Sequence, residues 1–507
     1  MHAQFQAAHP RQSLCPKDSP QECYGGFARV KATVDAKKKA AAQAGRPTIF
    51  LNAGDTFQGT PYYTFFKWPI VSQFVDMLGI DVMALGNHEF DDGVKSLSEY
   101  IEKVSVPNVC SNLDLSQEPS MQVDKLTPSF ILTVNNVKIG VIGYLTPDTK
   151  LTSDVGKVNI LDEIPSIRKE AQRLRAENVK ILIALGHSGY AKDQQIAKEV
   201  EEIDLVVGGH SHTLLYKGTP PDPNHTVRGD YPTVITQASG KKVPVVQASY
   251  GTRYLGYLEL DFDDEGNLKS WNGAPILLSG DLPQDPDVLA ALQPYEKQLD
   301  DKLGKVVGNT VKYTNSQGWT VASVAIQQAG GIRASINQRG PITAGNVVSI
   351  LPWGGKIVVK ELRGSVLLDV LETQYTDTSK CSRGPVGLKV VYNMQAAPGS
   401  RVVSVQVRCA ELPSTRLQCW RISLMEGDGF SMLTNIPNTY IFDDVDYVVL
   451  TKYVEKHSPV YPAVEGRIVI LNAKQEEKPS PVKKTLRILR DFFRHMHTFN
   501  GENAFGE

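Results

Sequence analysis

The sequence predicts an α/β protein, because apolar runs that look like strands alternate with polar helical stretches between about residues 27 and 260. The helical pattern of Lys157–Asn178 followed by the apolar run Lys180–Leu185 is one example. This rhythm is typical of βαβ units. A second observation is that four apolar runs end at glycine-containing turns that carry Asp, Asn or His. Strand ends of this kind meet at one edge of a parallel sheet, where α/β proteins form their sites.

Length and composition describe an ordinary globular chain. It has 507 residues, of which 41% are apolar and 21% are charged, enough for two or three domains with sizeable cores. A net charge of -1 gives no reason to expect a nucleic-acid polymer as partner. No apolar stretch is long enough to cross a bilayer, and no signal peptide is visible at the polar start of the chain.

The cysteine pattern favours an oxidising compartment. Cys15 and Cys23 are close in sequence, as are Cys409 and Cys419, and these spacings suit local disulfides; buried free thiols are the alternative. Asn224 begins a glycosylation sequon, which favours the same compartment. We therefore expect a secreted, extracellular, disulfide-bonded glycoprotein.

The first two parts of the chain are predicted as residues 1–276 and 277–306. The first holds the βαβ pattern. The second is a linker, punctuated by Pro283–Pro286 and containing a helix predicted over Asp287–Leu303.

The rest of the chain divides into a second domain, residues 307–472, and a tail, residues 473–507. In the second domain we predict a strand over Lys356–Leu362 and a helix over Gly364–Thr373. The tail shows a basic amphipathic pattern over Lys483–Phe499. Such a helix can lie on an anionic membrane, although a docked or disordered tail is favoured.

The four strand ends deliver an oxygen and imidazole ligand set of the kind that binds Zn, Mn or Fe. The turns, each after its apolar run, are Ala53-Gly54-Asp55, Gly86-Asn87-His88-Glu89, Gly186-His187-Ser188 and Gly208-Gly209-His210-Ser211-His212. A lone histidine after a strand is more often a turn or capping residue. We interpret four histidines outside these turns in that way, namely His225, His457, His495 and His497.

The chain resembles the 5'-nucleotidase family, which includes ecto-5'-nucleotidase and the secreted apyrases of blood-feeding arthropods. The matching N-terminal motifs are His2-Ala3-Gln4-Phe5, Gly54–Thr60, Gly86–Asp91, Gly186–Gly189 and Gly208–His212. The C-terminal motifs are Ala329–Arg333, Leu351–Gly355, Gly427–Phe430 and Tyr461–Arg467. The resemblance covers nearly the whole chain up to about Asn472, and the motifs are specific in combination rather than singly.

The resemblance implies a calcineurin-like metallophosphoesterase domain, an α/β/β/α sandwich, which holds two divalent metals. Zinc is commonest, with Mn, Mg and Ca as alternatives. Asp55 would bridge the metals, and His88 would stabilise the transition state with Asp91 orienting its imidazole. His2 and His212 would ligate one metal; Asn87, His187 and His210 would ligate the other. Two such cations clamp a phosphate oxygen and generate hydroxide at neutral pH.

The resemblance also implies an α+β C-terminal domain that recognises the nucleotide substrate, AMP, ADP or ATP. Trp353 and Phe430 match two positions that stack on the base, and Arg333 fits a phosphate clamp. Gly330 and Gly331 belong to the same site, and Gln328 stands where the family often has Asn. Trp353 as a core residue and Arg333 in a surface ion pair are the alternatives. The oligomeric state is left open, with a homodimer as one option.

The sequence departs from the family pattern in four places. The family has a strand ending in Thr-Asn-Asp ahead of the motif that begins at His2, and the Asp of that strand is a metal ligand. We therefore expect the first strand, one metal ligand and a signal peptide to be missing here. Thr310–Ser323 is too short for a family helix and a further Arg. The segment around Cys419-Trp420-Arg421 is irregular, and the polar end Gly501–Glu507 has no GPI signal.

Three functions follow as hypotheses. The first is a metal-dependent phosphohydrolase that converts AMP to adenosine, or degrades ATP and ADP as an apyrase. The second is a nucleotide-binding scavenger whose catalysis is impaired by the missing segments. The third is a hydrolase of cyclic phosphodiesters or nucleotide sugars on the same scaffold.

Overall fold

The computed structural model describes the chain in two compact units, the first ending at Glu296 and the second beginning at Lys297. The described residues are 1–8, 15, 22–223, 225–310, 323–328, 331–334, 336, 340–362, 364–373, 383–386, 388–407, 417–422, 436, 438–460 and 468–471. The sequon at Asn224, the cysteine at 409 and the tail pattern at 483–499 lie outside these residues.

The first unit is built from helices around two sheets. Its helices are α1 (Phe27–Gln43), α2 (Pro61–Leu78), α3 (Gly93–Lys103), α4 (Thr149–Thr152), α5 (Glu163–Ala176) and α6 (Tyr190–Glu199), with 3₁₀ turns at Asn87–Phe90 and Pro119–Met121. Its first strands are β1 (Leu51–Asn52), β2 (Val82–Ala84), β3 (Asn108–Val109), β4 (Leu113–Asp114), β5 (Leu126–Thr127), β6 (Ser129–Val134), β7 (Val137–Leu145), β8 (Asn159–Ile160) and β9 (Ile181–His187). The remaining strands are β10 (Leu205–Val207), β11 (Leu214–Leu215), β12 (Val227–Gly229), β13 (Thr233–Thr236), β14 (Lys242–Val246), β15 (Tyr254–Leu255), β16 (Glu259–Phe262), β17 (Leu268–Asn272) and β18 (Ile276–Leu277).

One sheet has the strand order β1-β2-β3-β5 and the other has the order β13-β14-β10-β9-β7-β6. Their facing sides share a core that includes Val82 and Val109 from the first sheet and Val141 and Leu185 from the second. The far side of the six-stranded sheet packs on α5 and α6 around Ile167, whose side chain is fully buried. The predicted α/β/β/α sandwich is confirmed.

Parallel pairing in the middle of the six-stranded sheet explains the continuous apolar runs of the sequence. Strand β9 pairs in parallel with β7 on one side and with β10 on the other. All seven residues of β9 are buried, because both faces of a central parallel strand are covered.

The helix predicted over Lys157–Asn178 is wrong at its N-terminal end. The helix begins at Glu163, because Asp162 caps it by accepting the Ile164 N–H at 3.3 Å. The preceding residues Asn159–Ile160 form β8, which pairs with β4.

The second unit contains helices α8 (Ala344–Ile350), α9 (Gly364–Thr373) and α10 (Asp446–His457), while α7 (Pro286–Leu303) contains the boundary between the units. Its strands are β19 (Val306–Thr310), β20 (Ser323–Gln328), β21 (Gly340–Thr343), β22 (Lys356–Leu362), β23 (Arg383–Val386), β24 (Leu388–Asn393), β25 (Val402–Val407), β26 (Leu417–Ile422), β27 (Asn438–Val445) and β28 (Ile468–Leu471). The strand predicted over Lys356–Leu362 and the helix predicted over Gly364–Thr373 are confirmed.

Sheets of five strands (β23-β20-β26-β22-β27), three strands (β25-β24-β28) and two strands (β19-β21) organise the second unit. A core around Val347, Leu351 and Leu450 packs α8 against α10. Most strand pairs in these sheets are antiparallel, although β20–β26 and β24–β28 are parallel, and together with the helices they form the predicted α+β class.

Cys15 and Cys23 form a disulfide with their Cα atoms 5.7 Å apart, which confirms the first of the two predicted pairs. Cys110 is a buried free thiol, and burial raises its pKa to about 12. Among the helices in the described ranges, none is both long enough and apolar enough to span a lipid bilayer.

Candidate metal centre

The predicted strand-end residues meet in the first unit. Asp55 follows β1, Asn87 opens the 3₁₀ turn after β2, and His187 is the last residue of β9. His210 and His212 lie in the turn after β10, and His2 is held beside them because its N–H donates to the Asp55 carbonyl at 2.6 Å. All six residues that we predicted as ligands are therefore near one another, although their role as ligands stays a prediction.

The first group of potential ligands is His2, Asp55 and His212, whose ligand atoms lie within 4.8 Å of one another. The Nε2 atoms of His2 and His212 are 2.9 Å apart, and His2 Nε2 is 3.6 Å from Asp55 Oδ2. The ring of Tyr250 stacks on His212, with centroids 4.7 Å apart and planes inclined by 20°. Two imidazole nitrogens at this distance need a shared proton or a cation between them.

The second group is Asp55, His187 and His210, again within 4.8 Å of one another. His187 Nε2 is 2.8 Å from Asp55 Oδ2, while His187 Nδ1 donates to the carbonyl of Ala53 at 2.7 Å. Asn87 Oδ1 lies 3.1 Å from His210 Nδ1. Because a backbone carbonyl can only accept, Nδ1 of His187 carries a proton and Nε2 is the nitrogen that faces Asp55. Metal-ligating histidines usually donate their other ring N–H in this way.

Four of these residues have left-handed backbone conformations. The φ angles are 53° at His2, 52° at Asp55, 73° at His210 and 53° at His212. Residues with a Cβ rarely adopt these angles, and such strain concentrates at functional sites. All four residues belong to the two groups of potential ligands.

The pKa shifts of Asp55 and His210 favour the protonation states in which these two side chains bind a metal. Burial alone would raise the pKa of Asp55, but His187, His88 and His2 hold it well below its ordinary value. Burial, together with the neighbouring His187, lowers the pKa of His210 to about 4, so its imidazole is neutral. The ionised carboxylate of Asp55 and the neutral imidazole of His210 are forms that bind a metal. Burial opposes a charge on His187, but Asp55 raises its pKa, so this imidazole must release a proton when a metal binds.

His88 faces this cluster but is held differently. Its Nδ1 lies 2.7 Å from Asp91 Oδ2, and its ring centroid is 5.4 Å from that of His2. Burial opposes a charge on His88, but the carboxylates of Asp91 and Asp55 raise its pKa to about 9. His88 therefore holds a proton at neutral pH, as a general acid or a charge-stabilising group requires.

Glu89 joins two of the turns, a role that our sequence analysis missed. Its carboxylate is fully buried and accepts the N–H groups of Gly86 at 2.6 Å and Asp55 at 2.9 Å. It also accepts those of Thr56 at 2.5 Å and Phe57 at 3.0 Å. Burial and the Asp55 carboxylate raise its pKa. The available signal in the sequence was an acidic residue within a predicted ligand motif, but its four hydrogen-bond partners could not be deduced from the sequence.

Gln247 and Asp193 hold the turn that carries His210 and His212. Gln247 Nε2 donates to Asp193 Oδ2 at 2.6 Å and to the Gly209 carbonyl at 2.9 Å. Gln247 Oε1 accepts the Thr213 N–H at 3.2 Å. A Cβ on Gly209 would lie 2.8 Å from His187 Nδ1, so only glycine lets this turn approach β9 so closely.

A cavity of about 710 Å³ opens on the cluster. Apolar residues of α1, β7, β9 and β10 line part of it, including Val34, Ile139, Ile183 and Leu205. Charged side chains, among them Lys37, Arg46 and Glu259, also line it, so the histidines and Asp55 lie in a cavity with a mixed polar and apolar lining.

In the second unit the structure brings together three of the predicted substrate residues. Trp353 Nε1 donates to the Gly331 carbonyl at 3.0 Å, and the Arg333 guanidinium lies over the Trp353 ring at 5.3 Å from its centre. Gln328 ends β20, whereas Gly330 and Phe430 lie outside the described residues. Trp353 is half-buried, so it is not a fully enclosed core residue.

The donor set fits divalent metal ions. Each group combines one carboxylate with imidazole nitrogens, and Asp55 belongs to both groups. Nitrogen and oxygen donors of this kind suit Zn and Mn, and a shared carboxylate offsets the repulsion between two neighbouring cations.

Two family models match the chain. Residues 1–214 match the calcineurin-like phosphoesterases, and residues 290–434 match the 5'-nucleotidase C-terminal domain. The first model implies divalent metal ions, in agreement with the two ligand groups.

Relatives match over nearly the whole chain. Protein 5NUC of Lutzomyia longipalpis is 40% identical over 94% of this chain and 92% of its own length. A 5'-nucleotidase of Bos taurus and an apyrase of Tabanus yao are each 34% identical, covering 92% and 93% of this chain and 89% and 92% of their own. The crystal structure of a 5'-nucleotidase precursor from Thermus thermophilus superposes with a TM-score of 0.79 at 30% identity, over 93% of this chain and 98% of that one. The chain therefore belongs to the 5'-nucleotidase family of phosphoesterase hydrolases.

Proposed function

We propose that this protein removes phosphate from extracellular nucleotides with the help of two divalent metal ions, most consistent with zinc. The observation that carries the proposal is the pair of ligand groups that share Asp55. The names of the relatives, 5'-nucleotidase and apyrase, support AMP on the one hand and ATP or ADP on the other.

The residues that would hold the ions are those of the two groups. His2 and His212 would hold one ion, and His187, His210 and Asn87 would hold the other, with Asp55 between them. When bound, the two cations would neutralise charge on a phosphate and lower the pKa of water. The His187 tautomer and the low pKa of His210 support this assignment.

His88 would supply the proton that the leaving group needs. Asp91 engages Nδ1, so the proton on Nε2 is the one available to a phosphate ester oxygen. In the metal-free protein burial opposes a charge on His88, but Asp91 and Asp55 raise its pKa to about 9, so His88 carries this proton before the cations bind. We therefore assign His88 as the general acid and Asp91 as its orienting group.

Base and phosphate recognition would fall to the second unit. We propose that Trp353 and Phe430 stack on the base and that Arg333 binds phosphate, with Gln328, Gly330 and Gly331 completing the site. The described contact of Arg333 with the Trp353 ring supports a common site for the two side chains.

Hydrolysis of four substrates tests the proposal. The purified full chain should be stripped with a chelator, reloaded with Zn or Mn, and assayed with AMP, ADP, ATP and UDP-glucose. We expect metal-dependent release from at least one of the first three. Binding of AMP and ATP with no cleavage of any substrate would support the scavenger hypothesis instead. Cleavage of UDP-glucose alone to UMP and glucose 1-phosphate, monitored by chromatography because it releases no free phosphate, would favour the nucleotide-sugar hydrolase.

His88→Ala should separate catalysis from metal binding. Its turnover should fall by about two orders of magnitude, because a general acid contributes about that much. Elemental analysis should find the same metal content as in the wild type, since His88 belongs to neither ligand group. Loss of metal in this variant would show that His88 is a ligand.

An extracellular location is part of the proposal. The Cys15–Cys23 disulfide supports it, because such bonds persist in oxidising compartments. One relative is named as a snake venom 5'-nucleotidase. Recovery of the disulfide-bonded protein from the medium of cells that express the full gene would support this location, and retention in the cytosol with reduced thiols would refute it.

A further inference from the structure

Ser153 reaches the metal centre from outside all of the motifs that carry the family resemblance. It follows α4 directly, and its hydroxyl oxygen lies 2.7 Å from Asp91 Oδ1 and 2.9 Å from the Asn87 carbonyl oxygen. The two partners are 62 and 66 residues away in sequence. One side chain is thus in hydrogen-bond distance of both the residue that orients His88 and a predicted metal ligand.

The contact with Ser153 gives the second oxygen of the Asp91 carboxylate a hydrogen-bond partner. Oδ2 of Asp91 is engaged by His88 Nδ1 at 2.7 Å, and Oδ1 is engaged by Ser153. A hydroxyl has one hydrogen to donate, and a carboxylate is a stronger acceptor than a backbone carbonyl. With one partner on each oxygen, the plane of the carboxylate and therefore the direction of the His88 ring are fixed.

We infer that Ser153 is a positioning residue for the His88–Asp91 pair. By holding Asp91 Oδ1 it keeps Oδ2 aligned with His88 Nδ1, so that Nε2 of His88 points at the site of reaction. The inference rests on the general-acid role proposed above for His88.

A structural role alone is the competing explanation. Ser153 is also the residue that ends α4, and its backbone N–H donates to the Thr149 carbonyl at 3.0 Å. That bond uses the main chain and survives any substitution except proline. A side-chain change therefore tests the contact with Asp91 separately from the end of the helix.

Ser153→Ala should lower kcat by about 10- to 100-fold, the usual loss when a residue that orients a catalytic group is removed. KM for the preferred nucleotide and the metal content should stay within about twofold, because neither ligand group contains Ser153. Ser153→Thr retains a hydroxyl and should restore most of kcat. Ser153→Cys keeps the volume with a weak donor and serves if the alanine variant does not fold.

Ser129→Ala is the matched control. Ser129 is likewise half-buried and donates to a carboxylate, Glu170 Oε1 at 2.5 Å, but Glu170 belongs to neither ligand group. This variant should keep the wild-type kcat. A loss equal to that of Ser153→Ala would overturn the inference.

The decisive measurement is a double-mutant cycle with His88→Ala. If Ser153 acts through His88, Ser153→Ala should cause no further loss of kcat in the His88→Ala background. Additive losses, a loss of metal in Ser153→Ala or a failure of the threonine variant to rescue would each overturn the inference. A wild-type kcat in Ser153→Ala beside a large loss in His88→Ala would reject the inference alone. Unchanged turnover in His88→Ala would instead reject the role proposed for His88.

Discussion

Replacing Glu89 with glutamine should loosen two turns of the metal centre at once. Oε1 of Glu89 accepts the N–H groups of Thr56 and Phe57, and Oε2 accepts those of Gly86 and Asp55. Glutamine keeps the shape of the side chain but exchanges one oxygen for an NH₂ group, which cannot accept. Whichever way the amide turns, two backbone N–H groups then face a donor.

The size of the effect follows from the burial of the site. Glu89 is fully buried, so water cannot replace the lost oxygen. A buried donor without an acceptor costs about 1–3 kcal/mol, so two of them cost about 2–6 kcal/mol. At about 1.4 kcal/mol for each factor of ten, the turns should open about 30-fold more often, or more.

Hydrogen–deuterium exchange on the metal-free protein measures this opening directly. Peptides that cover residues 53–60 and 84–91 should exchange faster in Glu89→Gln by about that factor, and the affinity for zinc should fall with them. Glu99→Gln is the matched control, because Glu99 is an exposed glutamate of α3 whose Oε1 lies 4.0 Å from Lys95 Nζ. Exchange within about threefold of the wild type in both peptides would refute the bracing role of Glu89.

Three other substitutions test separate parts of the molecule. Asp55→Asn should remove both metals, because a neutral amide is a poor bridge between cations; elemental analysis that finds two metals per chain would contradict the shared-ligand assignment. Trp353→Ala should raise KM for AMP but spare p-nitrophenyl phosphate, since stacking contributes about 1–3 kcal/mol and acts only on the base; equal losses on both substrates would indicate a structural role. Burial raises the pKa of Asp446 from 3.8 to about 7, so the folded chain favours its protonated form and loses stability as the pH rises between these values. Above pH 7, Asp446→Asn should be more stable than the wild type by at most about 4 kcal/mol, because asparagine retains an acceptor for the Tyr447 N–H. A difference in the free energy of unfolding between the two proteins that does not change with pH would refute this.

The sequence predicted the ligand cluster well, because strand ends leave a clear local pattern. Apolar runs that stop at glycine identify Asp55, Asn87 and His187 as strand-end residues. The first two follow β1 and β2 of the four-stranded sheet and the third ends β9 of the six-stranded sheet, so their meeting also depends on how the two sheets face each other. The start of α5 was harder, because Lys157–Glu163 continues the helical pattern while Asp162 supplies a cap that overrides it.

The supporting residues could not be predicted in the same way. Ser153, Gln247 and Glu89 act through hydrogen bonds to residues that are 32 to 66 positions away, apart from the local contact of Glu89 with Gly86. Such contacts depend on how loops from different strands approach each other, and hydrophobic periodicity carries no information about that. A serine after a short helix has no distinguishing mark in the sequence.

The left-handed backbone conformations at His2, Asp55, His210 and His212 lower the stability of the chain at positions whose side chains we propose as metal ligands. Each of these residues carries a Cβ in a conformation that costs about 1–2 kcal/mol relative to a relaxed one, so together they store several kcal/mol. Glycine would adopt the same angles without that cost. At these four positions glycine would therefore relieve backbone strain at the expense of the side chains that we propose as metal ligands.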